Sequence, residues 1–237
     1  MPVKHFSSEL QSTQRALSRC LAFLRQGGIN EIPPAGAAHA PSSAHAISKE
    51  DQLERLAQDV AACRLCSLYR TRTHAVLSDG SCHASLMFIG EAPGQEEDRQ
   101  GKPFVGAAGQ LLTRMIEAMG LRRSDVYICN VLKDRPPGNR TPEPDEVTAC
   151  LPFLLRQIEI VQPRVICLLG SVAAKAILGP NVSIMRIRGQ VRSFQSLTSE
   201  SEISIVPTFH PAYLLRNPAA KKETWADLQL VKRLLDG

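Results

Sequence analysis

The 237-residue chain has no apolar stretch approaching the ~20 residues that cross a bilayer, so nothing in it reads as a membrane-spanning helix. Its first residues, Met1-Pro2-Val3-Lys4-His5, lack the compact apolar region and small-residue cleavage site of a secretory signal. Together these absences make a cytoplasmic location the expectation. In that reducing compartment the seven cysteines are not read as disulfides; they are core residues, metal ligands or reactive thiols. The charge is not extreme either, since a net +5 permits a polyanionic partner without demanding one. No internal repeat is present.

What the chain does contain is an alternation of short apolar runs with helical patterns. The runs are Ser85–Ile89, Val126–Val131, Arg164–Gly170 and Ile203–Pro207, with a weaker strand near Val191. Helical patterns start at Ser48 (a cap, followed by Leu53, Leu56 and Val60), at Leu111–Met119 before Gly120, at Pro144, at Ser171–Leu178 and at Glu223–Leu235. Strands alternating with helices imply an α/β fold with a parallel sheet covered on both faces. Residues 1–48 stand apart. Ser7–Gln26 reads as an amphipathic helix, and Gly27 to Ser48 as a flexible Pro/Ala/Ser-rich linker, leaving 49–237 as the folded domain. The N-terminal helix is a candidate docking element for a protein partner.

The longest irregular stretch is Gly90-Glu91-Ala92-Pro93-Gly94-Gln95-Glu96-Glu97-Asp98, running on to Gly101-Lys102-Pro103-Phe104-Val105-Gly106. Its Gly and Pro content predicts a loop on the C-terminal end of a strand, where ligands of parallel sheets bind. Glu91, Glu97, Asn130 and His210 each follow an apolar run, so one sheet edge collects them. Asn130 offers an amide that donates and accepts at once. His210 is placed to donate to an oxygen that gains negative charge. Phe104 is a candidate to stack on a planar ligand, with core packing as the alternative. Lys133, Arg135, Arg140, Arg188, Arg216, Lys221 and Lys222 lie near these loops, where phosphates would be neutralised.

Cys63 and Cys66, three apart at the end of a helical pattern, fit zinc or an iron–sulfur cluster if about two further ligands join them. Cys150 is a candidate. Cys129 and Cys167 lie inside apolar strands, where a free cysteine is ordinarily just buried.

Three motifs, in order, resemble the family 4 uracil-DNA glycosylases. They are Glu91-Ala92-Pro93-Gly94 with the following Gly-Lys-Pro-Phe-Val-Gly, the Arg135-Pro136-Pro137-Gly138-Asn139-Arg140 loop, and His210-Pro211-Ala212-Tyr213-Leu214-Leu215-Arg216-Asn217-Pro218. The resemblance runs from about Asp51 to the C-terminus. It implies a monomeric three-layer α/β/α sandwich with a mostly parallel four-stranded sheet. The implied activity is hydrolysis of the N-glycosidic bond of uracil flipped out of single- or double-stranded DNA. It further implies that the backbone at Gly90, Glu91 and Ala92 contacts uracil, that Phe104 stacks on it, that Asn130 reads its Watson–Crick edge and that His210 sits at O2. Ala92 stands where better-known uracil glycosylases have a water-orienting Asp, which leaves Glu91 as the catalytic carboxylate and Glu97 as a wall against the 5-methyl group of thymine. Leu214, Leu215 and Arg216 would enter the gap in the duplex, and Arg135 and Arg140 would hold backbone phosphates.

The family also carries a [4Fe–4S] cluster on four cysteines. Cys63, Cys66 and Cys150 match three of them, and Asp134 stands at the fourth position. The expectation is an oxygen ligand from Asp134; substitution by Cys129 and an incomplete or absent cluster stay open. Two other readings compete with the enzyme: an inactive DNA-binding homologue, and a glycosylase for another deaminated base.

Overall fold

Apolar residues sort by period two onto the two faces of a six-stranded sheet in a computed structural model that describes residues 47–196 and 202–237. The predicted helix Ser7–Gln26 and most of the linker lie outside the described residues. The elements, in order, are α1 (Lys49–Ala62), β1 (Ser78–Gly80), β2 (Leu86–Gly90), α2 (Gln95–Gln100), α3 (Ala107–Ala118), β3 (Tyr127–Asn130), α4 (Pro144–Val161), β4 (Val165–Leu169), α5 (Gly170–Leu178), α6 (Ile184–Ile187), β5 (Arg192–Gln195), β6 (Glu202–Thr208), α7 (Pro211–Arg216) and α8 (Lys221–Asp236).

The strand order is β1-β3-β2-β4-β6-β5. The four inner strands pair in parallel, as expected, but β1 and β5 add antiparallel edges, so the sheet has six strands rather than four. The alternation within each inner strand builds two cores. Met87, Ile89, Cys129, Ile166, Leu168 and Ile205 face Leu154 and Ile158 of α4. Leu86, Phe88, Ile128, Cys167 and Val206 face Leu112 and Ile116 of α3 and Leu228 and Val231 of α8. That is the three-layer α/β/α arrangement, with both faces of the sheet dry.

Local signals set the helix ends. The Ser48 side chain accepts the Asp51 N–H at 3.0 Å and opens α1, which buries Leu56 and Val60. Gly120, at φ 83°, follows the end of α3. One expectation fails inside the Gly90–Gly106 stretch, where Gln95–Gln100 is helical. The Glu97 carboxylate reaches back to the Gly94 N–H at 3.1 Å, acidic Glu96, Glu97 and Asp98 fill the first turn, and Gly101 at φ 69° ends it.

Strand register then delivers the polar residues to one edge. Gly90 of β2 pairs with Asn130 of β3, and Leu169 of β4 with Thr208 of β6, so Gly170 lies beside the chain entering His210. A Cβ on Gly170, which sits at φ 89°, would come within 2.9 Å of the His210 Cβ. Among the described residues no helix is long and apolar enough to cross a membrane.

Candidate active site and cluster cavity

A cleft of about 540 Å³ opens at the C-terminal ends of the parallel strands. Glu91, Ala92, Glu97, Phe104, Asn130, Arg140, His210 and Arg216 all line it, which brings together residues up to 125 positions apart in sequence. Sequence reading did not single out Ala108 and Asn139 as lining residues, and it quoted Tyr213 only within a motif. Tyr213 stacks on Phe209 with ring centroids 4.8 Å apart.

The floor is built by close approach. A Cβ on Gly90 would run into the Asn130 Oδ1 and the Phe104 Cζ, so glycine there lets both close over the strand end. Phe104 has φ 54°, a left-handed backbone that an L residue adopts only when its surroundings impose it. Gly109 of α3 makes room for it: a Cβ there would collide with the Phe104 carbonyl. The Phe104 ring packs 5.6 Å from the His210 ring at 33°.

Glu97 holds this loop together. Its buried carboxylate accepts the N–H groups of Gly94, Val105 and Gly106, at 3.1, 2.9 and 2.9 Å. The side chain reaches the cleft, but its oxygens are occupied by the loop's own backbone. Asp98, which sequence reading passed over, ties the same helix to the chain at Thr73, accepting Thr73 N–H at 2.7 Å and Thr73 Oγ1–H at 2.8 Å.

Asn130 is 2% exposed, and its Oδ1 has no hydrogen-bond partner. An unpartnered buried acceptor costs about 1–3 kcal/mol, so it marks a place where a ligand donor belongs. His210 caps α7, its Nδ1 accepting the Ala212 N–H at 3.1 Å. The neutral ring therefore carries its proton on Nε2. Burial, with Arg216 nearby, pushes the His210 pKa down to about 4, so the ring is neutral at physiological pH. Burial raises the Glu91 carboxyl above its ordinary value.

The basic residues divide sharply. Arg140 is locked to the buried Glu146, at 2.9 and 2.6 Å, and Arg135 donates to the Asn139 Oδ1 at 2.7 Å. Arg188 pairs with the buried Asp227 and lies over the Phe209 ring. Lys133, read from the sequence as a phosphate contact, is instead buried, donating to the Asn130 carbonyl at 2.6 Å and to Gln157. Buried and already hydrogen-bonded, its ammonium is out of reach of a phosphate. Arg216 is exposed at the cleft. Leu214 also departs from the expectation: it is 1% exposed and packs with Leu111 and Phe209, so it is not available to a duplex. Leu215, 43% exposed, is the apolar side chain on the outside of α7.

Cys63, Cys66, Asp134 and Cys150 line a second, small cavity beneath the loop that carries Arg135. None of the three cysteines is in a disulfide. Burial pushes the Cys150 thiol up to about 12 and raises Cys66 as well. Asp134 is buried, and both its oxygens accept from Arg72 Nη1, at 2.9 and 2.8 Å. Burial raises its carboxyl, against the lowering effect of Arg72. Arg72 also donates to the carbonyls of Val60, Ala61 and Cys63, closing the end of α1. Each Asp134 oxygen keeps a further lone pair, so the ion pair does not prevent it from binding metal. The four donors are not gathered as one ion requires; among the described residues only Glu50, Cys82 and His83 bring three ligand atoms within 4.8 Å of one another. Cys129 does not line this cavity.

Comparison with known proteins agrees with the cleft. The profile described as the uracil DNA glycosylase superfamily matches residues 77–229. The chain is 47% identical over 189 residues to the type-4 uracil-DNA glycosylase of Sulfurisphaera tokodaii, covering 78% of this chain and 85% of the relative. It is 46% identical over 171 residues to that of Thermotoga maritima (72% and 86% covered) and 40% identical over 188 residues to that of Archaeoglobus fulgidus (78% and 94% covered). On that similarity, spanning both the cleft and the cysteine segment, the chain belongs to the type-4 uracil-DNA glycosylases of the uracil-DNA glycosylase superfamily.

Proposed function

We propose that this protein removes uracil from DNA by hydrolysing the N-glycosidic bond, and that the cleft described above takes the flipped base. The observation that carries the reading is the unpartnered Asn130 Oδ1 in a cleft floored by the Phe104 ring and flanked by a neutral His210. A uracil stacked on Phe104 presents N3–H and O4 to an amide, which accepts from the first and donates to the second.

The residues then have distinct tasks. As the bond from C1′ to N1 lengthens, its electron pair moves onto the base, and negative charge collects at O2. The His210 Nε2–H donates to that oxygen without first losing a proton, because the ring is already the neutral tautomer. The deoxyribose becomes an oxocarbenium ion. Glu91, at the cleft wall, stabilises that cation and accepts a proton from the water that attacks C1′. The uracil anion takes up a proton from solvent, Glu91 gives up the one it accepted, and free uracil and an abasic site result. Glu97 shapes the wall facing C5 by fixing Gly94, Val105 and Gly106. Leu215 fills the gap left in the duplex, and Arg216 contacts the neighbouring backbone.

A [4Fe–4S] cluster held by Cys63, Cys66, Cys150 and Asp134 would serve structurally, joining the end of α1 to the loop that bears Arg135 and Arg140. Arg72 holds Asp134 in place for that task.

The test is release of free uracil from a single-stranded oligonucleotide with one uracil. Wild type releases it, and Asn130→Ala loses roughly 10- to 100-fold while keeping its fold. DNA binding without release by wild type would assign the cleft to an inactive homologue, and release of hypoxanthine or xanthine in preference to uracil would assign it to another base.

A further inference from the structure

Glu50, Cys82 and His83 form a cluster at the other end of the sheet from the cleft. Glu50 lies in the first turn of α1; Cys82 and His83 lie in the loop between β1 and β2, just ahead of the N-terminal end of β2. The Glu50 Oε1 accepts the Cys82 thiol at 2.8 Å and lies 2.8 Å from the His83 Nε2. The three ligand atoms fall within 4.8 Å of one another, and no other such group exists among the described residues. The loop is fixed locally, because the His83 N–H donates to the Ser81 Oγ at 3.1 Å.

We propose that these three residues bind one zinc-class divalent cation. One thiolate, one imidazole and one carboxylate are a donor set that zinc, a borderline-soft ion, takes readily. A surface His–Glu pair alone would be unremarkable; the sulfur on the same carboxylate oxygen is what points to a metal. The hydrogen bonds among the three side chains already hold the donor atoms close together. On binding, the ion replaces the Sγ–H···Oε1 contact and the thiol proton leaves to solvent. The imidazole binds through an unprotonated Nε2, its proton on Nδ1. Three protein ligands leave a fourth position for water, and exposed Glu50 and His83 give the ion its entry. The ion pins the first turn of α1 to the loop that opens β2. Since Cys63 caps the C-terminal end of α1, both ends of this helix would then be fastened by metal chemistry.

The test titrates the full-length protein, as isolated, with Co²⁺ and then displaces it with Zn²⁺. Wild type takes up one equivalent of Co²⁺ with thiolate-to-cobalt charge-transfer absorption, loses that absorption on adding Zn²⁺, and gains Tm. Cys82→Ser and His83→Ala lose both the absorption and the gain in Tm. Two results overturn the proposal: equal uptake with the same spectrum in Cys82→Ser, which would move the thiolate to Cys63, Cys66 or Cys150, or no thiolate band in wild type at metal equimolar with protein.

Discussion

His210 stays neutral across the physiological range, and this is the sharpest test of the active-site chemistry. The ring's ordinary pKa is 6.5, and burial takes it to about 4. That gap corresponds to roughly 3 kcal/mol between the two protonation states, an upper value because the ring is only half-buried and keeps an edge to cleft water. The sign follows from linkage. A group whose folded pKa is depressed contributes stability that is complete above pH 6.5 and is lost as pH falls through about 4. Catalysis should therefore show no inflection from His210 between pH 6 and 8, while stability is level above 6.5 and declines only below it. Single-turnover uracil release, followed from pH 4 to 9, should be level through 6.5, with an acid limb set by Glu91, whose carboxyl burial raises above 4.5. That limb should disappear in Glu91→Gln. His210→Asn should lose about 100-fold or more in kcat, as removal of an oxyanion donor does elsewhere. Its stability should also lose the pH-dependent component that wild type shows between pH 6.5 and about 4. Imidazole NMR, assigned by comparison with His210→Asn, reads the titration directly. A His210 resonance moving at pH 6.5, or an acid limb at 6.5 abolished by His210→Asn, would refute the neutral-donor assignment.

Three further outcomes follow from the packing. Gly90→Ala should displace Asn130 and Phe104 together, destabilising by about 1–3 kcal/mol and lowering uracil release on the order of 100-fold; unchanged kinetics would show that the cleft floor is not where the base stacks. Leu214→Ala should cost about 2–5 kcal/mol in denaturant unfolding, whereas Leu215→Ala should leave stability alone and reduce activity on duplex DNA more than on single strands. The reverse pattern would restore Leu214 as the wedge. Asp134→Cys should retain iron and visible absorbance longer against a chelator, yet weaken the metal-free protein by about 1–3 kcal/mol because part-buried Arg72 loses its carboxylate and keeps only backbone carbonyls. An unchanged spectrum and iron content would remove Asp134 from the cluster's surroundings.

How legible all this was depended on the range of the forces involved. The Ser48 cap, the inner strands and the helix stop at Gly120 were readable because each is decided within a few residues by caps, periodicity and backbone freedom. The edge strand β1 was missed, and β5 showed only as a weak strand near Val191, because Ser78-Asp79-Gly80 and Arg192–Gln195 carry no apolar run; they form by pairing with β3 and β6. The helix α2 hid among glycines and prolines because its stability comes from the Glu97 capping contacts. Leu214 and Leu215 are adjacent and identical in type, and a six-residue helix is too short for periodicity to say which one faces inward.

By itself the sequence determined the layered α/β architecture, the cleft residues Glu91, Phe104, Asn130 and His210, and the departure at Asp134 from a cysteine set. Only the tertiary structure decided which charges remain available to DNA. Arg72 meets Asp134 across 62 positions, Arg188 meets Asp227 across 39, and Lys133 is buried against Asn130 and Gln157. An arginine held to a buried carboxylate and an arginine facing water look alike in a sequence, because burial and pairing between distant residues exist only once the chain has folded.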